Sequence, residues 1–354
     1  MSPPGRPKGE YRKAQPEGTP VSDPGALLVL TMPGFGTEVL RHLVAHPAWP
    51  AAPRVSVGLI GDRPAAWRRL AAWGRRTLQR PPDRLHPLAE GTLAAGHAER
   101  FLRQQALPWA WLGSDEAVRG YRAELEPSLT LTITSRVLFS PATLAAGPGD
   151  WFNVHPGLLP GYAGASPGPY MFLDGVGGCT IHRMAVRIDA GAVVDLAPMP
   201  GPLGEDGGGF FFDRLPVHTA ARVGALLQRW QAGEPWPEQP APDPAALRHC
   251  SSKRLAQDRR LDWTWPAPRL ARWVAALAAM APAWFEDGRG RRVEVMAAEA
   301  TEAAGDAAGQ APGRVLAAEG RRVSVACAGG SVRLRCRSWP GVQTGDQLPV
   351  GPSA

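Results

Sequence analysis

With 354 residues the chain is long for one compact domain and comfortable for two, so a sizeable buried core is expected. Lys and Arg exceed Asp and Glu by 39 to 32, which suits an anionic partner such as a nucleotide, a folate or a nucleic acid without choosing among them, and heavy use of Arg, Ala, Gly and Pro is also what a GC-rich genome yields. No run approaches the ~20 apolar residues that span a bilayer, and residues 1–25, rich in Pro, Gly and charge, read as a disordered arm and not a secretory signal, so a cytoplasmic protein with no membrane partner is expected.

Residues 26–32 form a short apolar run that passes through Pro33-Gly34-Phe35-Gly36 into a helical pattern over 37–46, and 54–60 is a second apolar run, which together give a β-α-β opening. The Gly-x-Gly lacks a third glycine and an acidic ribose contact, so it reads as a tight turn and not as a dinucleotide site. Residues 63–80 interleave Trp67 and Trp73 with six arginines, which fits an amphipathic solvated helix or an anion-binding surface. Further strands are expected at 108–112, 129–134 and 151–155 with helices between them, so the sheet should be largely parallel and doubly wound.

Residues 215–233 read as a helix closing this unit, and 234–244 are too proline-rich to continue it. Helical spacing returns over 266–280. From Arg291 onward short β-like runs alternate with glycine-containing turns, for which a small barrel is the natural packing, with the Ala-rich 297–311 as a surface loop. The organisation expected is an arm over 1–25, an α/β domain over 26–233, a linker over 234–248 and a C-terminal domain over 249–354. Cys179, Cys250, Cys327 and Cys336 show no metal-ligand spacing and read as free buried thiols, and no metal is expected.

The most informative stretch is 151–192, which begins WFNVHPGLLPGYAGASP and ends GCTIHRMAVRIDAGA. Side chains on a strand alternate with a period of two, so Asn153 and His155 face one cleft. A second strand over 179–186 delivers Asp189 just before an Ala190-Gly191 turn, and an amide, an imidazole and a carboxylate can converge there. In isolation each is ordinary turn chemistry. His182, in mid-strand, is expected to pack behind the site.

At these residues the chain resembles the folate-dependent formyltransferases, whose signature is Asn-x-His, a Leu-Leu-Pro loop, Thr-(Ile/Leu)-His and an Asp-x-Gly turn; HRMAVRIDAGAVV is most similar to the amino-sugar members. RVLFSPATL, residues 136–144, resembles the family segment under the folate, and RLDW, residues 260–263, is similar to the entry to the family's C-terminal domain. The resemblance implies a doubly wound catalytic domain followed by an OB-like β-barrel, with Asn153, His155 and Asp189 as catalytic residues. Asn153 would stabilise an oxyanion, His155 would share that oxygen or shuttle a proton, and Asp189 would take the amine's proton. It also implies 10-formyltetrahydrofolate as co-substrate, held by Val137, Leu138 and Phe139 on one side and Ala185, Val186, Arg187, Ile188 and Asp189 on the other, below Leu158, Leu159 and Pro160.

One departure is Ala163, where the family usually has Arg, and it bears on acceptor recognition. The expected acceptor is the primary amine of a small biosynthetic intermediate, such as a nucleotide-linked amino sugar. The alternative is methionyl-tRNA, and a third reading is an inactive folate- or RNA-binding relative. From Ala281 onward nine arginines face eight acids, a net of about +1, where a tRNA-gripping domain should carry a clear basic excess.

Overall fold

The computed structural model describes residues 25–50, 54–63, 91–278, 280–302 and 309–350. The arm over 1–24 and nearly all of the arginine-rich 63–80 lie outside the described residues.

Five parallel strands, β1 (Leu27–Thr31), β2 (Val55–Ile60), β3 (Trp109–Leu112), β4 (Leu129–Ile133) and β5 (Asp150–His155), form most of a seven-stranded sheet. Its order is β3-β2-β1-β4-β5-β6-β7, so the chain builds outward from β1 to one side and then returns to build the other. β1 and β4 are buried along their whole length, as strands covered on both faces must be, which is why they read as unbroken apolar runs. Alternation sorts their side chains. Leu27, Val29, Leu131, Phe152 and Val154 join the larger core, whereas Leu28, Leu30 and Trp151 join Val118 and Phe139 on the opposite face.

The sheet is not parallel throughout. β6 (Gly178–Arg183) and β7 (Val193–Pro198) run antiparallel to β5 and to each other, in register Asn153↔His182 and Ile181↔Asp195. Helices α1 (Phe35–Val44), α2 (Gly91–Gln104), α3 (Asp115–Leu125), α4 (Pro141–Leu144) and α5 (Pro167–Asp174) lie between these strands, and a π-helical turn, Gly209–Arg214, leads into α6 (Leu215–Gln231). Ser114 caps α3 by accepting from the Ala117 N–H, with Asp115 and Glu116 at the positive end of the helix dipole. Arg122 of α3 is 1% exposed, lies 4.7 Å over the Trp151 ring, and donates to Thr130 Oγ1 and to the Ala146 and Pro148 carbonyls; this spread of acceptors satisfies a buried guanidinium and fixes the approach to β5.

Residues 234–244, expected to be a linker between units, are docked. Trp236 packs edge-on against Phe152 with centroids 4.8 Å apart, and Gln239 pairs with Val193 through both backbone groups. Two helices follow, α7 (Ser252–Asp258) and α8 (Ala267–Leu277). Tyr170 of α5 donates to Asp258, and Arg272 of α8 donates to the Phe172 carbonyl at 2.6 Å.

The last five strands, β8 (Ala283–Glu286), β9 (Arg292–Glu302), β10 (Val315–Glu319), β11 (Arg322–Cys327) and β12 (Gly330–Cys336), form an antiparallel sheet of order β10-β11-β12-β9-β8. The expected barrel is not closed among the described residues. The two edges are covered separately: Val315 of β10 exchanges backbone hydrogen bonds with Gly345 and Asp346, and Trp284 of β8 with Arg259 and Leu261. Each short edge strand thus satisfies its outer groups without meeting the other. The expected 297–311 loop is strand as far as Glu302, because Ala298 and Ala300 pair with Leu334 and Val332 of β12, and small residues suffice where the partner supplies the bulk. All four cysteines are buried and unpaired. Among the described residues no helix is long and apolar enough to cross a membrane, and no cluster of His, Cys, Asp and Glu is arranged to hold a metal.

Candidate active site

Asn153 and His155 leave the carboxyl end of β5 on the same face, and the β6–β7 connection brings Asp189 to them. Asn153 Nδ2 lies 3.4 Å from Asp189 Oδ1, His155 Nδ1 3.7 Å and His182 Nε2 3.5 Å from that same oxygen. The other oxygen, Oδ2, accepts the Gly164 backbone N–H at 2.6 Å. His155, His182 and Asp189 are buried, and Asn153 is the partly exposed member through which the cluster meets the cleft.

The two imidazoles are fixed by backbone carbonyls, which can only accept. His182 Nδ1 donates to the Arg183 carbonyl at 2.9 Å, so its Nε2 carries the lone pair that receives the Asn153 amide at 3.0 Å. His155 Nε2 donates to the Tyr162 carbonyl at 2.6 Å, which leaves Nδ1 facing Asp189. Gly157 makes room for this bond, since a Cβ there would fall 2.5 Å from both His155 Nε2 and the Tyr162 carbonyl oxygen. Gly191 is required for a similar reason, because a Cβ would collide with the Arg183 carbonyl oxygen. Asp189 itself sits at φ 53, a left-handed conformation that aspartate tolerates better than most residues.

Burial alone would raise the Asp189 carboxyl, but attraction to the His155 ring and the hydrogen bond from the Gly164 N–H outweigh it and hold the group well below the ordinary carboxylate range. Burial lowers His155 against the pull of Asp189, so the resting ring is neutral. A neutral imidazole beside a fixed carboxylate can take up a proton and be stabilised as it does so.

Around this cluster the ten residues expected to line a cofactor separate into rim and wall. Leu138, Val186 and Ile188 are exposed at 71%, 64% and 47%, with Pro160 and Arg187 also open to solvent. Leu158, Ala185 and Val137 are half-buried, and Val137 and Met184 both pack against the cluster that contains the Phe139–Trp151 pair. Phe139 and Leu159 are buried: Phe139 lies against Trp151, and Leu159 packs with Ala163 and Leu247. His182 carries more of the site than its sequence position suggested. The signal was the two-residue spacing of Thr180 and His182, which becomes informative once β6 is known to lie antiparallel and directly opposite Asn153.

With its polar cluster at the carboxyl end of a parallel strand, the protein has the build of an α/β enzyme. The formyl transferase family model matches residues 99–199, and that of the formyl transferase C-terminal domain matches 255–344. Methionyl-tRNA formyltransferase of Xanthomonas campestris pv. campestris is 33% identical over 235 residues, which cover 63% of this chain and 71% of the relative. The Stenotrophomonas maltophilia enzyme is 31% identical over 223 residues, covering 62% and 70%. Among solved structures, the N-formyltransferase of Helicobacter canadensis, in complex with folinic acid and dTDP-3-aminofucose, superposes with a TM-score of 0.57 at 11% identity, over 88% of this chain and 99% of that one. The chain belongs to the formyl transferase family.

Proposed function

We propose that the protein moves a formyl group from 10-formyltetrahydrofolate to the primary amine of a small biosynthetic intermediate, and that Asn153, His155 and Asp189 are its catalytic residues. The observation that carries this reading is the convergence of the Asn153 amide, the His155 imidazole and the Asp189 carboxylate at the foot of an apolar rim. Leu138, Val186 and Ile188 are large apolar side chains left open around a polar cluster, which suits a flat ligand with hydrogen-bonding edges. The folate supplies an activated formyl group. Asn153 directs one amide N–H into His182; the other makes only the longer contact to Asp189 and is the donor available to the formyl oxygen as charge gathers on it. Asp189 accepts the proton that the attacking amine sheds, His155 shares it through Nδ1, and it passes to the folate nitrogen as the bond from that nitrogen to the formyl carbon breaks.

In this reading residues 26–233 are the catalytic domain, 234–248 a linker and 249–354 an OB-like domain whose sheet closes no barrel among the described residues, and the substrates are those of the cytoplasm. A second reading, transfer to methionyl-tRNA, is favoured by the 33% identity to the Xanthomonas enzyme.

The test is mass spectrometry of a mixture of candidate amines incubated with enzyme and 10-formyltetrahydrofolate, with and without charged initiator tRNA. A single amine is expected to gain one formyl group. Asn153→Ala should cut that turnover by about 10² to 10³-fold, the scale of a lost oxyanion donor, and leave donor affinity within a few fold. Near-wild-type turnover in that variant would remove Asn153 from the mechanism.

A further inference from the structure

Residues 236–250 touch the elements that carry the polar cluster, beginning from behind β5 and β6. On paired strands β5 and β6 the Asn153/His182 pair faces the site, so its neighbours Phe152 and Arg183 face the opposite way. Trp236 packs on Phe152 and donates Nε1 to Asp150 Oδ2 at 2.6 Å. Arg183 lies 5.1 Å over the same Phe152 ring and is gripped on two sides, by Asp150 Oδ1 at 2.7 Å and by Glu238 Oε1. Gln239 is hydrogen-bonded in both directions to Val193, just past the Asp189 turn.

The segment then crosses to the other side of the cluster. Leu247 packs with Leu159, Ala163 and Ala190, the residue after Asp189. Arg248 N–H donates to the Pro160 carbonyl, the Ala163 N–H to Arg248, and the Cys250 N–H to Ala163 at 2.7 Å. These bonds hold the loop whose Tyr162 carbonyl orients His155 and whose Gly164 N–H holds Asp189. Arg183 joins the first side to the cluster, because its carbonyl sets the His182 tautomer that receives the Asn153 amide.

We propose that residues 236–250 form a positioning strap, in which the Trp236 and Glu238 grip on Asp150 and Arg183 fixes the His182 tautomer and, through it, the Asn153 amide. Its consequence for turnover rests on the formyl-transfer reading above; its consequence for His182 does not. Trp236 and Glu238 are positioning residues that act through Asp150 and Arg183. A small misplacement of a catalytic group is enough to lower a rate by one to two orders of magnitude.

The test uses the full chain and three variants: Glu238→Gln, Trp236→Phe, which keeps a ring on Phe152 but loses the donor, and Glu234→Gln as a control. Glu234 pairs with Arg229 immediately upstream of the strap. The 15N signals of the His182 imidazole, assigned by their loss in His182→Gln, report the tautomer directly. In the wild type they should show protonated Nδ1 and hydrogen-bonded Nε2; in Glu238→Gln and Trp236→Phe they should move toward mixed tautomers, while the control leaves them in place. Turnover should fall about tenfold or more in the two strap variants, with both KM values within about twofold and melting temperatures matching the control. Unaltered His182 signals in both strap variants would overturn the strap, as would shifts of equal size in the control. Shifted His182 signals in both strap variants, from a wild-type protein that formylates no amine, would uphold the strap and reject the functional reading alone.

Discussion

Asp189→Asn should lower formyl transfer by about 10² to 10⁴-fold, the range for loss of a positioned general base, while the protein stays folded. Asparagine keeps the shape, tolerates the left-handed backbone at φ 53 and retains an oxygen for the Gly164 N–H. It loses the negative charge that the two imidazoles face. Asp189→Ala would be a poorer experiment, since it also strands the Gly164 donor and places alanine in a strained conformation.

The variant also has a pH signature. The folded-state value of Asp189 is depressed below the ordinary 3.8, so its contribution to stability is fully present above that value and is lost only as pH falls through the depressed one. Any melting-temperature deficit of Asp189→Asn should therefore stay constant from neutrality down to about pH 4 and shrink in stronger acid. Thermal melts at a series of pH values check this, and a deficit that vanished near neutrality would mean that Asp189 is not held as a carboxylate.

The second large effect concerns the acceptor. Charged initiator tRNA is expected to remain unformylated at ordinary enzyme concentrations, whereas a small amine should be used with little sensitivity to salt. The arginines that a tRNA would need on the second sheet are largely paired. Arg337 lies 2.8 Å from Glu294, Arg292 3.3 Å from the same carboxylate and Arg333 3.5 Å from Glu299. A partner engaged through several phosphates would lose affinity by roughly 10³ or more between low and physiological salt, while a nucleotide-linked amine has at most a diphosphate to lose. Formylation of the tRNA that is efficient at low salt and collapses as salt rises would reverse the assignment of acceptor.

The half of the fold that could be read from the sequence is the half whose strands are buried on both faces. Residues 27–31 and 129–133 announce themselves as apolar runs because both of their faces meet helices, and the period of two then places Asn153 and His155 together without further information. The direction of β6 was not legible, since a strand's own pattern says nothing of whether its neighbour runs with or against it. That direction is what sets His182 opposite Asn153. Leu159 is a like case: apolar residues near a site are wall or rim according to which way they point, and only the packing of Leu159 on Ala163 and Leu247 decides it. The closure of the second sheet was misjudged because the residues that satisfy its edges, 259–261 and 345–346, belong to no strand of their own.

The cysteines give the protein four built-in reporters of opening. Burial pushes Cys179 and Cys336 up to about 12 and Cys327 up to about 11, so almost none of any of them is thiolate at neutral pH. Each occupies a different place: Cys179 in the strand that also carries His182, Cys250 at the far end of the strap, Cys327 and Cys336 in the second sheet. A thiol reagent applied to the native enzyme therefore clocks the rate at which each region exposes its sulfur, and the order in which the four are modified is the order in which the molecule comes apart.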